Sequence, residues 1–405
     1  MLFALATTAP RFGFAGSQPS PPQPTPAGAP GKFRLGHRPE LEGLRGLAVL
    51  FIMAGHLPLL GAQSDLAGYA GAPANAPFPG GFYGIYIFFV LSGFLITVLL
   101  AQEHQAKGSI SLGAFYIRRV LRLLPGYAVF LTVCCAYALF GLGPAQGRTL
   151  LRGLGLSACY ASNFYWCFPR ERLGMLTHTW SFCLQEQFYL IWPVALCLLL
   201  RLRVRWIVTL LALGVVASAL FRFTFWWAGG VTGFHVASTT LPARGELLLS
   251  GALAAVLACR GRLPRSRTGQ TVLRSAASLA VLGLAGLVAW CGNGPHLFCG
   301  VSTLTGVLIA LAIAGLIGAP PAWLRTCLSI RPLLAVSRIS YGLYLWHVPA
   351  YCVVPGLLAR WLLLREPAGT LIAALTVGLA FVAAAASYYL VERPCLRVKT
   401  FFSRA

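Results

Sequence analysis

The chain has 405 residues, of which 58% are hydrophobic and only 10% charged, with a mean hydropathy of +0.74. Soluble domains carry about a quarter charged residues, so this composition excludes an ordinary water-soluble fold. The formal charge of +23 would suggest nucleic acid on a soluble protein, but on a membrane chain basic residues act first as topology signals.

Uncharged runs of about 20 residues are long enough to cross a bilayer as helices, and they lack the alternation of a membrane β-barrel. The expected fold class is therefore all-α: a polytopic membrane protein with about ten transmembrane helices.

The start, MLFALATTA, lacks the basic region of a secretory signal. SQPSPPQPTPAGAP at 17–30 cannot bury a core, so 1–39 reads as a disordered, Pro-rich cytoplasmic tail. A transmembrane domain is expected over 40–392, then a short basic cytoplasmic tail over 393–405 with no separate acceptor-handling domain. The expected spans lie at about 43–61, 82–101, 122–142, 186–201, 206–225, 242–260, 271–291, 299–317, 334–356 and 369–391. With the N-terminus inside, about three quarters of the 32 Lys and Arg fall on the cytoplasmic side, which puts both termini there. That distribution accounts for most of the net charge without nucleic acid. The longest outer loop, about 143–185, holds Arg148, Arg152, Arg170 and Arg172 with the aromatics of NFYWCF.

Ionisable side chains inside spans are costly and mark function by default. In the first span, EGLRGLAVLFIMAGH at 42–56 places Arg45 and His56 eleven residues apart. On a helix that is about 20° beyond three full turns, so both share one face about 16 Å apart. In FYIRRVLRLLPGY, Arg119 and Arg122 are neighbours at i and i+3, and two guanidiniums side by side suit a phosphate. In LTHTWSFCLQEQFYLIWP, Glu186 is placed in the first turn of the fourth span, where the helix dipole alone would favour it; His178 reads as loop or interface. Arg244 and Glu246 enter the sixth span, with an intramembrane ion pair as the structural alternative. His347 lies in the ninth span, two residues before Pro349, with helix packing as the competing reading. Glu392 and Arg393 read as a structural pair ending the last helix.

Twelve cysteines show no metal spacing. Cys159 with Cys167 and Cys291 with Cys299 are candidate local disulfides if their loops face an oxidising compartment. No zinc motif, phosphate-binding loop or nucleophile elbow is present, so no bound metal is expected.

In combination these stretches resemble the acyltransferase 3 family, integral-membrane O-acyltransferases of glycans and some natural products. EGLRGLAVLFIMAGH resembles its Arg-x10-His opening, YGIYIFFVLSGFLIT its second-helix signature, and FYIRRVLRLLPGY its Arg-x-x-Arg segment. THTWSFCLQEQFYLIWP, ISYGLYLWHVP and VERPCLR resemble its later motifs, so the likeness runs from about Glu40 to Arg397. Glu42 and Tyr86 stand where the family usually has Asp, and Gln185 where it has Glu. The resemblance implies no bound cofactor but acetyl-CoA or another acyl-CoA as co-substrate. It also implies a carbohydrate or lipid-linked glycan acceptor and a place in the bacterial inner membrane. By that resemblance His56, Arg45 and Glu186 are the catalytic candidates, and Arg119 and Arg122 hold the CoA phosphates. Arg244, Glu246 and His347 are candidates for substrate binding. His56 acts either as a base on the acceptor hydroxyl or as a covalent acyl carrier. Acylation of a small secondary metabolite, or transport of an anionic envelope component, are the alternatives.

Overall fold

A computed structural model describes residues 33–60, 80–165, 173–291, 300–361 and 370–402. Every regular element among them is helical. In chain order these are α1 (Pro39–Gly55), α2 (Gly81–Lys107), α3 (Leu112–Phe140), α4 (Pro144–Ala158), the single turn α5 (Ser162–Tyr165) and α6 (Thr179–Leu199). Then follow α7 (Val204–Ala228), α8 (Gly230–Thr239), α9 (Leu241–Cys259), α10 (Arg267–Cys291) and α11 (Val301–Gly318). Two short helices, α12 (Ala322–Leu328) and α13 (Arg331–Arg338), form an elbow before α14 (Ser340–Trp361). α15 (Thr370–Ala386) passes through a π-helical stretch, Ser387–Glu392, into α16 (Arg393–Phe402). Local chemistry sets several of these boundaries. Proline occupies the first turn of α1, α4, α9 and α13, where its missing N–H costs nothing. Gly108, at φ 75°, takes the left-handed position that ends α2.

Among the described residues, eight stretches of helix are long and apolar enough to cross a membrane. The other two expected spans fall on the 17-residue α1 and on α13–α14, which is broken at Ile339. Large apolar side chains face outward along the peripheral helices, among them Leu190, Leu213, Leu220, Leu279, Leu282 and Val382. Such a belt suits lipid and not water.

Three sequence expectations change. α3 begins ten residues before the expected 122, so Arg119 and Arg122 lie inside a helix and not at its mouth. α6 begins at Thr179, so Glu186 sits two turns in and the helix dipole does not explain it. The closing basic stretch continues as helix α16. Both proposed cysteine pairs include a residue outside the described ones.

The centre of the bundle is α2, whose apolar window is 89% buried against 17% for α10. Glycine lets its neighbours reach it. A Cβ on Gly93 would meet the Leu248 carbonyl oxygen of α9 at 1.9 Å, and one on Gly251 of α9 would meet that of Val90 at 1.9 Å. The two backbones therefore touch reciprocally, as small residues allow in membrane helices. On the other side, Gly84 lies against Ala48 and Ile52, and Gly81 against Gly55, fixing α1 on α2.

Candidate active site

Two polar clusters sit at different depths between α1, α3, α6 and α14, with an apolar gap between them. The first is built on arginine. Arg119 of α3 donates from Nε to Glu186 Oε2 at 2.8 Å and from Nη2 to Oε1. Its guanidinium lies 3.4 Å above the Tyr189 ring, so a fork-shaped ion pair and a cation–π contact fix one side chain. Arg122, one turn on, has Arg45, Arg119 and Glu392 as charged neighbours. Arg45 is buried, and its Nε makes no hydrogen bond among the described residues. The three guanidiniums thus meet Glu186, Glu392 and, beside Arg45, Glu42, while the fork of a guanidinium suits a phosphate by shape and charge.

Glu392 reaches this cluster through the π-helical stretch. It is buried, accepts from Ser387 Oγ at 3.2 Å and packs over Gly126 of α3. Pro394 follows two residues later and cannot donate to a helical carbonyl, a local reason for the wider turn. The expected Glu392–Arg393 pair is therefore not formed: Glu392 turns inward, while Arg393 lies over the Tyr389 ring.

The second cluster is built on histidine. His56 caps the C-terminal end of α1, and its Nδ1 lies 2.8 Å from the Ile52 carbonyl oxygen. A carbonyl only accepts, so Nδ1 carries the proton, and the neutral ring presents the Nε2 lone pair. His347 of α14 repeats the arrangement, with Nδ1 2.9 Å from the Leu343 carbonyl oxygen and a buried Nε2 that makes no hydrogen bond among the described residues. The His56 and His347 rings stand edge to face, 5.1 Å between centroids. His178 stands 5.2 Å beyond His347 on the same scale and is 2% exposed. His178 reads as loop or interface from the sequence, yet it stands buried directly before α6, where its carbonyl accepts from the Tyr344 hydroxyl.

Between the clusters runs a narrow cavity of about 30 Å³, lined by Ile52, Phe88, Ser181, Gln185, Tyr341 and Tyr344 among others. Ile52 and Tyr344 belong to the histidine end. Gln185 belongs to the arginine end, donating from Nε2 to the Tyr189 hydroxyl at 3.0 Å. Among the lining residues, Gln185 thus bonds the tyrosine beneath Arg119, and Ile52 carries the carbonyl that orients His56.

Arg244 and Glu246 do not line this cavity. Arg244 is fully buried and donates to the Ser238 carbonyl oxygen at 2.9 Å, the Tyr86 hydroxyl at 2.8 Å and Ser302 Oγ at 3.0 Å. Tyr86 thus supplies a hydroxyl and a ring 5.2 Å from the guanidinium, where the family usually has a carboxylate. The ion partner of Glu246 is Arg222 of α7, through contacts of 3.1 and 3.2 Å, with Ser302 and Thr303 donating at 2.6 Å each. The alternative of an ion pair at this position is thus realised with a different arginine. Arg222 carried no sequence signal: it is a lone arginine in an apolar run.

Residues 38–390 match the family described as acyltransferase domain. Peptidoglycan O-acetyltransferase OatA of Listeria monocytogenes is 30% identical over 325 residues, covering 77% of this chain and 49% of its own length. O-acetyltransferase OatA of Staphylococcus aureus is 29% identical over 333 residues, 77% of this chain and 50% of its own. The putative peptidoglycan O-acetyltransferase YrhL of Bacillus subtilis is 32% identical over 327 residues, 77% and 48%. The chain therefore spans about half the length of these relatives. No solved structure matches.

Proposed function

The chain belongs to the acyltransferase 3 family, and from that premise we propose that it is a membrane O-acetyltransferase. It moves an acetyl group from acetyl-CoA to a hydroxyl of a cell-envelope carbohydrate. One observation carries the reading: a small cavity between the two clusters is lined by Gln185, which bonds the Tyr189 hydroxyl beneath Arg119, and by Ile52, whose carbonyl orients His56. The relatives named as peptidoglycan O-acetyltransferases support the acceptor class, with peptidoglycan the finer assignment.

Phosphates of the donor sit against Arg122 and Arg45, and Arg119 is held ready by Glu186. The pantetheine arm then follows the gap past Gln185 and Ser181, parting Tyr341 and Tyr344, to bring the thioester beside His56. Nε2 of His56 takes the proton of the acceptor hydroxyl as its oxygen attacks the thioester carbonyl. The carbon–sulfur bond breaks, and the thiolate leaves with that proton. The hydrogen bond from Nδ1 to Ile52 holds the tautomer, and His347 Nε2 accepts from the imidazolium as it forms. The basic end of the bundle faces the cytoplasm, where the donor is made; His56 faces the opposite leaflet. The bacterial cell membrane fits both substrates.

The test uses purified protein in liposomes, acetyl-CoA labelled in the acetyl group, and a peptidoglycan fragment as acceptor. Label is expected in the glycan with the wild type and not with His56→Ala. Equal transfer by a correctly inserted His56→Ala would remove the histidine from the chemistry.

A further inference from the structure

A second, much larger cavity, about 830 Å³, opens at the basic end of the bundle, away from the path just described. It is walled by His37, Arg38 and Glu40 before and at the start of α1, and by Arg325, Ser329 and Arg331 of the α12–α13 elbow. Gly43 and Gly46 press α1 against that elbow at the carbonyls of Leu328 and Leu333. Arg45 sits 100° or more around the helix from both glycines, so the two basic sites occupy different faces of α1. Neither the donor path nor the histidine chemistry uses these residues.

Four features of the cavity point to one kind of ligand. Arg38 is engaged, with Nη1 3.5 Å from a Glu40 carboxylate that is 3% exposed. Arg325 and Arg331 both line the cavity and make no ion pair among the described residues, and guanidiniums match a phosphate in shape and charge. The start of α13 after Ile330 lacks a side-chain cap, leaving the N–H groups of Arg331 and Leu333 on either side of Pro332 for an anion. Ser329 Oγ is buried with no hydrogen-bond partner among the described residues, although it lines the cavity. The rim adds a fifth feature. Ile330, 49% exposed on the lining, and Trp323, 46% exposed on α12, give the elbow an apolar edge, as at a membrane interface.

We propose that this cavity binds a phosphate group, and that an anionic phospholipid of the basic-side leaflet supplies it. The phosphodiester sits between Arg325, Arg331 and the start of α13, the Ser329 hydroxyl donates to it, and the acyl chains leave past Trp323 and Ile330. A lipid there would brace the elbow that clamps α1, and hence the helix carrying Arg45 and His56. The other source of the same chemistry is a phosphate of the nucleotide end of the donor.

Native mass spectrometry of the whole protein, exchanged from detergent with added phosphatidylglycerol or phosphatidylcholine, tests this. The wild type is expected to retain one phosphatidylglycerol in preference to phosphatidylcholine. Arg325→Gln/Arg331→Gln is expected to lose that preference at least about tenfold. Arg201→Gln/Arg203→Gln, in the exposed turn between α6 and α7, is expected to keep it. This arm needs no turnover, so it stands apart from the acyltransferase reading. A second arm compares the KM of acetyl-CoA with that of its analogue lacking the 3′-phosphate. If the Arg325/Arg331 variant keeps its lipid but raises the KM of acetyl-CoA alone, the phosphate site stands and the donor is its source. Equal lipid retention by both double variants, with unchanged KM values, would overturn the proposal.

Discussion

Arg119 of α3 grips Glu186 of α6 with two parallel hydrogen bonds while lying 3.4 Å above the Tyr189 ring, one turn further along the same helix. The side chains of the pair are 13% and 12% exposed, so water does little to compensate either charge if its partner is removed. Glu186→Gln is expected to cost about 2–4 kcal/mol in the unfolding of purified protein, because a guanidinium is then left poorly paired. Arg119→Gln/Glu186→Gln is expected to recover at least half of that. A double-mutant cycle from thermal melts in one detergent measures the coupling; additive losses would make the pair incidental.

The histidine end makes a kinetic prediction. If His347 Nε2 receives a hydrogen bond from His56 only once His56 has taken the proton, His347 contributes to kcat and not to binding. His347→Leu is expected to lower kcat about 10–100-fold with acetyl-CoA KM within about twofold, in keeping with loss of one preorganised partner. His347→Asn, which keeps an acceptor, is expected to recover part of it. His56→Ala is expected to lose about 100-fold or more, the range for a general base. A rise in KM with unchanged kcat for His347→Leu would return that residue to substrate binding.

Much of this site was legible in the sequence because polar residues in apolar runs are conspicuous. Arg45 and His56 stood out by spacing, and the Arg119–Arg122 pair by adjacency. Their partners were not legible, because each comes from a distant helix. Nothing near Glu246 points to Arg222, 24 residues earlier, and a lone arginine in α7 reads as a snorkelling side chain. Arg118, Arg119 and Arg122 made the start of α3 look like a loop. Glu103 pairs with Arg118 at 3.3 Å and Glu186 with Arg119, so a helix carries those charges. Glu186 looked like a first-turn carboxylate because the polar residues of LTHTWS resemble a loop; buried hydrogen bonds among Ser157, Ser162 and Thr179 let the helix begin there. The inward turn of Glu392 depends on a π-helical stretch with no clear sequence signal beyond Pro394.

The glycine contact between α2 and α9 predicts an assembly defect with no chemical one. An added methyl on Gly93 has no room, since the nearest atom is the backbone oxygen of Leu248 at 1.9 Å. Gly93→Ala must push the two helices apart, at a cost of about 1–3 kcal/mol or more for overpacking. Gly113→Ala meets nothing within 4 Å and serves as the control. The folded fraction on size-exclusion chromatography is expected to fall for Gly93→Ala and to hold for Gly113→Ala. Equal yields would mean the helices tolerate a wider spacing.

The buried network of Arg222 and Glu246 allows a sharper separation of structure from substrate binding. Both side chains are 1% exposed, and four donor groups from Arg222, Ser302 and Thr303 converge on one carboxylate. Removing only the negative charge leaves the buried Arg222 guanidinium without its carboxylate, so Glu246→Gln is expected to cost about 3–5 kcal/mol. Arg222→Leu/Glu246→Gln removes both charges while leaving Ser302 and Thr303 an amide oxygen to bond. It is expected to regain most of that stability, since apolar replacement of a buried pair is often close to neutral. If the network only ties α7, α9 and α11 together, the double variant transfers acetyl groups at the wild-type kcat and acceptor KM per folded molecule. A double variant that folds like the wild type but shows an acceptor KM raised tenfold or more would place Glu246 at the substrate, with Arg222 as the group that positions it.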